Sequence, residues 1–262
     1  MTPPTNVVAE RTSPQVPPAD RMSSAKKRVL PNWALKTAMA ASGSLLALML
    51  VIKLIVNLWF FTGSDHFNVV TTRVSNLFYP YLPQEGWLWI VRVVAVVLLV
   101  AHVSIGVVLV LRARAGRGIF RTRLQGGQHA WLTRLMPHTG AATMLFALFY
   151  VLDQVFHALV APWVDIDPGF SPNLDPAIAQ SYMQLYNSLS HPWIAVVYII
   201  GLLAMGAHVF HGLGTVATIA AGSGVFAGRI KRWLVLIGGA LFLVLMLANI
   251  LIPIGVQGGW LR

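Results

Sequence analysis

The sequence predicts an all-α integral membrane protein, a bundle of five transmembrane helices with a cytoplasmic N-terminus and an outside C-terminus. Three observations predict it. Five apolar runs are each long enough to cross a bilayer core, which takes roughly 20 helical residues. Mean hydropathy is +0.69 and only 10% of residues are charged, against about 25% in soluble domains. Of the 19 Lys and Arg, six lie in residues 1–36, six in 112–134 and three in 229–232. That clustering is the positive-inside pattern. It accounts for the net charge of +11 without a nucleic-acid-binding face.

Residues 1–30 are polar and proline-rich with no apolar h-region, so a flexible basic cytoplasmic tail is expected rather than a cleaved signal. The transmembrane domain is expected over 31–262, with spans near 33–61, 87–113, 136–161, 192–222 and 232–255. Helices are the default in hydrocarbon because no water satisfies the backbone there.

The loops set the orientation. Residues 112–134 hold Arg112, Arg114, Arg117, Arg121, Arg123 and Arg134 and no acid. Loop 62–86 holds Asp65 and Glu85 with one Arg, and loop 162–191 holds Asp165, Asp167 and Asp175 with no Lys or Arg. Trp59, Trp87, Trp89, Trp163, Trp193 and Trp260 fall at the expected outer interface, as aromatic belts do. The long loop 162–191 is expected to carry a short helix (LDPAIAQSYMQLYNSL) over the outer face. No sequence repeat is evident. There is no cysteine, which excludes disulfides and thiolate-held zinc or iron–sulfur centres within this chain.

Two histidines sit deep in apolar segments, His102 in LLVAHVSIG and His208 in LLAMGAHVFHG. Ionisable groups inside a membrane are functional hypotheses by default. At 1.5 Å per residue, His102 lies roughly 15 residues, about 22 Å, below the outer start of the second span, and His208 roughly 16 residues, about 24 Å, below that of the fourth. They are therefore nearly level. Singly, each reads as an interhelical hydrogen-bonding residue; as a matched pair they read as two axial ligands of one haem iron. Gly106 and Gly206 are expected to leave room for a flat cofactor beside them. His211, one turn past His208, is a second candidate as ligand, propionate partner or quinone contact. His129 and His138 near the cytoplasmic surface, and His66, His157 and His191 near the outer one, read as interfacial.

The segments KTAMAASGSLLALMLVIKLIVNL, LWIVRVVAVVLLVAH, RLMPHTGAATMLFALFYVLD and HPWIAVVYIIGLLAMGAHVFHG cover most of residues 33–215. They resemble the large, five-helix cytochrome b membrane-anchor subunit of succinate dehydrogenases and fumarate reductases. The G-x-H-x-x-H-G ending of the fourth segment is the most specific piece, and MAASG after the basic N-terminus is next. The resemblance implies two haems b held by four histidines, the proximal pair on the second and fourth helices, where His102 and His208 stand. The distal pair departs: Lys53 and Tyr150 occupy those positions, so the distal haem is expected to be absent. Lys53 lies about 8 residues, roughly 12 Å, inside the outer end of its helix, and Asp153 lies at about that depth on the third. An ion pair between Lys53 and Asp153 is one reading; the other has Lys53 snorkelling to the interface and Asp153 protonated. Arg92, in L-W-x-x-R, reads as a snorkelling residue.

The resemblance further implies a flavoprotein subunit oxidising succinate at FAD and an iron–sulfur subunit carrying electrons to membrane quinone, both docked on this chain in the bacterial cytoplasmic membrane. This chain would bring one haem b and part of the quinone pocket, with Ser42, Arg134, His138 and His211 as polar candidates and Trp33 as a wall. A haem-free quinone-binding anchor of the same complex remains the alternative. A transporter using Lys53 and Asp153 as a relay is the remaining rival, without the internal repeats and broken helices such proteins carry. The identity of the quinone, the direction of the reaction and the oligomeric state are left open.

Overall fold

The computed structural model describes residues 30–116, 128–160, 180–222 and 226–261. The expected tail, apart from Leu30, and the loop arginines Arg117, Arg121 and Arg123 lie outside them, as do the acids of loop 162–191. Five long helices form the bundle: α1 (Asn32–Asn57, continued by a 3-10 turn, Leu58–Thr62), α3 (Gly86–Ala115), α4 (Gln128–Gln154), α6 (Pro192–Ala221) and α7 (Ala227–Gln257). Two short helices, α2 (Ser64–Ser75) and α5 (Gln180–Ser190), connect them at the end far from residue 32, hereafter the far face. Among the described residues there is no strand. All five long helices are apolar and long enough to cross a membrane, and the protein is a multi-pass membrane protein.

Local sequence sets most of the ends. Pro192 at the first position of α6 suits a residue whose missing N–H would be unpaired there anyway. Gly222 closes that helix at φ 65, a conformation that favours glycine.

The third span departs from expectation at both ends. It begins before Pro137, which lies inside the helix, and it stops at Gln154 rather than near 161. Beyond Gln154 the N–H groups of Val155 and Phe156 both turn onto the Val151 carbonyl, and His157 adopts φ 51. The apolar run VFHALVAP carried no stop signal. The stop comes from Asp153 and Gln154, whose side chains bond to α5 and α6.

Side chains facing lipid are apolar all round, and α3 buries none of its residues. The packed core belongs to α6 and α7, through Ile194, Tyr198 and Leu202 on one and Phe242, Met246 and Ile252 on the other. Helix α6 packs on α7 and on α4, while α3 packs chiefly on α1. Without a hydrophobic drive between helices in lipid, close approach over small residues provides the attraction. Gly201 is the tightest case: a Cβ there would overlap the Phe146 ring. Gly201→Ala is therefore expected to force α4 and α6 apart and cost about 1–3 kcal/mol, measured as loss of thermal stability in detergent.

At the far face α2 and α5 form a lid. Phe60 stacks on Tyr182 at 4.2 Å between ring centres, Phe67 meets Phe60 edge-on at 5.5 Å, and the Tyr182 N–H donates to Asn68 Oδ1 at 2.9 Å. Burial, with Tyr186 beside it, pushes the Tyr182 phenol above its ordinary pKa, so it packs as a neutral ring. The short helix expected in loop 162–191 is present from Gln180. Helix α2 was not anticipated, because its mixed composition reads as loop.

Candidate functional site

A cleft of about 2950 Å³ opens between the α1–α3 pair and the α4–α6 pair. It runs from Trp33, Lys36, Arg114 and Lys231 at the N-terminal face to Gln154 and Gln184 beneath the lid. His102 on α3 and His208 on α6 meet across it, with ring centres 6.3 Å apart and ring planes at 87°.

That separation has a chemical meaning. Two imidazoles bound in line to one metal, with bonds of about 2.0–2.1 Å and each nitrogen about 1.1 Å from its ring centre, place their centres about 6.3 Å apart. A direct imidazole–imidazole hydrogen bond would bring the centres closer, while edge-to-face ring contact spans about 4.5–7 Å and includes this separation.

Each imidazole is also held at its other nitrogen. Ser42 Oγ of α1 lies 3.1 Å from His102 Nδ1, and Thr139 Oγ1 of α4 lies 3.4 Å from His208 Nδ1. Metal-bound histidines characteristically spend their second nitrogen on such a partner. These two imidazoles, one on each side of the cleft, are the residues that would hold a haem iron. Among the described residues no three metal-ligating side chains converge, but a haem needs only two, its macrocycle supplying the other four donors.

The remaining expected site residues divide. His211 lines the same cleft. Ser42, expected as a quinone donor, is buried against His102 instead. Arg134 and His138 are exposed and lie outside the cleft lining, so neither is placed to meet a ligand in it. Trp33, 72% exposed, stands at the mouth. Arg92 lies over the Trp89 ring at 4.8 Å.

Lys53 and Tyr150 both line the cleft nearer the far face. The Lys53–Asp153 ion pair is not formed. Asp153, 2% exposed, accepts hydrogen bonds from Tyr198 Oη at 2.7 Å, Ser188 Oγ at 2.9 Å and Gln154 Nε2 at 2.8 Å. Those three donors satisfy the carboxylate and join α4, α5 and α6, leaving Lys53 to the cleft.

Three residues of the site were not anticipated: Thr139, Gly43 and Gly140. Of the two glycines expected to leave room for a cofactor, Gly106 lines the cleft, with only the Met39 methyl near its open side, whereas Gly206 lies outside the lining and faces Met246. A signal for the missed residues does exist. The pattern M-x-x-[S/T]-G occurs twice, as MAASG at 39–43 and MPHTG at 136–140, a short repeat whose meaning appears only when each copy is seen against its histidine. No protein-family model, curated protein or solved structure matches the chain.

Proposed function

We propose that this chain is the membrane-anchor cytochrome b subunit of a succinate:quinone oxidoreductase in a bacterial cytoplasmic membrane, with one haem b between His102 and His208. The observation that carries the reading is the 6.3 Å separation of the two rings across an open cleft. The G-x-H-x-x-H-G segment containing His208, and the placement of His102 on the second span, supply the family and hence the partners: a flavoprotein with FAD and an iron–sulfur subunit.

When bound, the haem supplies a one-electron relay beside the quinone pocket. His102 and His208 bind and orient it, and the valine-rich walls of α3 keep water from it. With Arg134 and His138 outside the cleft, the quinone slot falls at its N-terminal mouth, between Trp33, Lys36 and His211. The N-terminal face docks the partner subunits. Its geometry is fixed in part by Arg112, whose guanidinium donates to the Leu30 carbonyl and to Asn32 Oδ1, both at 2.9 Å. Lys53 and Tyr150 stand where a second pair of ligands would be needed, so one haem is the expected number.

The test is purification of the tagged chain from its own membranes. A flavoprotein and an iron–sulfur protein are expected to come with it, and succinate-dependent quinone reduction is expected to disappear when the chain is deleted. Purification without them, and unchanged activity in the deletion strain, would refute the proposal. A haem-free anchor of the same complex is the second reading. It is favoured by the fact that both imidazoles already have hydroxyl partners without a metal, and visible absorbance separates the two.

A further inference from the structure

We infer that Met39–Gly43 and Met136–Gly140 are two equivalent cradles that set the tautomer, the plane and the donor strength of the histidines opposite them. The inference rests on the haem reading above and deepens it.

The hydroxyls give the direction of each bond. Ser42 Oγ donates to the Met39 carbonyl at 3.1 Å, and Thr139 Oγ1 donates to the carbonyls of Met136 and Leu135 at 3.1 and 3.2 Å. A hydroxyl has one proton. With that proton on the backbone, each oxygen offers His Nδ1 only a lone pair, so Nδ1 carries the hydrogen and donates. The Nε2 lone pair is thus left for a metal in both histidines, before any metal arrives.

The glycines set the plane. A Cβ at Gly43 would stand 2.9 Å from His102 Cε1 and 3.3 Å from Nδ1; a Cβ at Gly140 would stand 2.9 Å from His208 Cε1 and 3.3 Å from Nδ1. The two sets of distances coincide although the cradles lie on different helices. Each ring edge rests on bare backbone, and the hydroxyl one residue earlier pins its rotation. Together they produce the 87° angle between the rings. Ser42, Thr139, Gly43 and Gly140 are positioning residues, acting on the iron only through the imidazoles.

An Nδ1–H donating to an acceptor makes its imidazole more electron-rich, which favours ferric over ferrous iron. Perpendicular axial planes cancel each other's rhombic ligand field, so the ferric protein should give a highly anisotropic low-spin electron paramagnetic resonance signal.

The experiment compares the wild-type chain, Ser42→Ala, Thr139→Val, Ser42→Thr and Thr139→Ser, purified with their accompanying subunits. It reads haem content, redox midpoint and the ferric resonance spectrum. Ser42→Ala and Thr139→Val should each weaken ferric binding relative to ferrous about tenfold, raising the midpoint by about 59 mV. Their resonance should move toward an ordinary rhombic signal as the freed ring turns, while Ser42→Thr and Thr139→Ser should stay at wild-type values. Haem-loaded wild type with unchanged midpoint and resonance in Ser42→Ala and Thr139→Val would overturn the cradle and leave the haem reading standing. So would equal disturbance by the hydroxyl-keeping variants. A wild type without haem would overturn both.

Discussion

On the proposed haem reading, His102→Ala and His208→Ala are each expected to abolish the low-spin haem spectrum of the purified protein, while Lys53→Met and His211→Ala are expected to leave it in place. The size of the effect follows from what each change removes. Losing a group that merely orients a metal ligand costs about 10–100-fold in metal affinity, and losing one of two axial ligands removes the bond itself. His211 and the methionines Met39, Met136 and Met205 also line the cleft, so the variants are compared with His211→Ala. His211 lies one turn from His208 on the same helix, but the rings that meet at 6.3 Å are those of His102 and His208. The check is the dithionite-reduced minus oxidised spectrum of each variant at equal protein concentration. Loss of haem in His211→Ala with retention in His208→Ala would exchange their roles.

Asp153→Ala is expected to lower the stability of the bundle by about 2–4 kcal/mol, whereas Lys53→Met is expected to change it little. Removing the carboxylate orphans the Tyr198 and Ser188 hydroxyls, each buried. An unsatisfied buried donor costs about 1–3 kcal/mol, moderated because polar contacts in membrane bundles average less than in water-soluble cores. The lid helix α5 should loosen first, since Ser188 is one of its ties to α4, beside the bond from Gln184 to the Gln154 carbonyl. Unfolding by added sodium dodecyl sulfate, with limited proteolysis at the α5 segment, measures both effects. A drop of similar size in Lys53→Met would restore the ion pair that the geometry does not contain.

The five spans were legible because hydropathy reports on lipid, and lipid surrounds every long helix here. The depth of the histidines was legible too, since rise per residue converts sequence into height. Rotation about each helix axis was not. Lys53 and Asp153 share a depth, yet Asp153 faces Tyr198 and Ser188, and those partners come from residues 35 and 45 positions away. Gly206 sits near His208 in sequence but faces Met246, outside the cleft lining, whereas Gly106 lines it. Ser42, expected as a quinone donor, has His102 of another helix as its neighbour. Thr139 carries no signal of its own in the sequence, because its partner His208 comes from another helix. What the sequence withheld was the set of contacts made by a different helix at the same height.

The most direct test of the central claim is haem per chain in the purified complex, by pyridine haemochrome against amino-acid analysis. One haem b per chain, with absorption bands shifting on reduction, is the predicted result. No haem would make His102 and His208 hydrogen-bonded core residues of a quinone-binding anchor. Two haems would mean that Lys53 and Tyr150 do not close the second site, and would contradict the single-centre account.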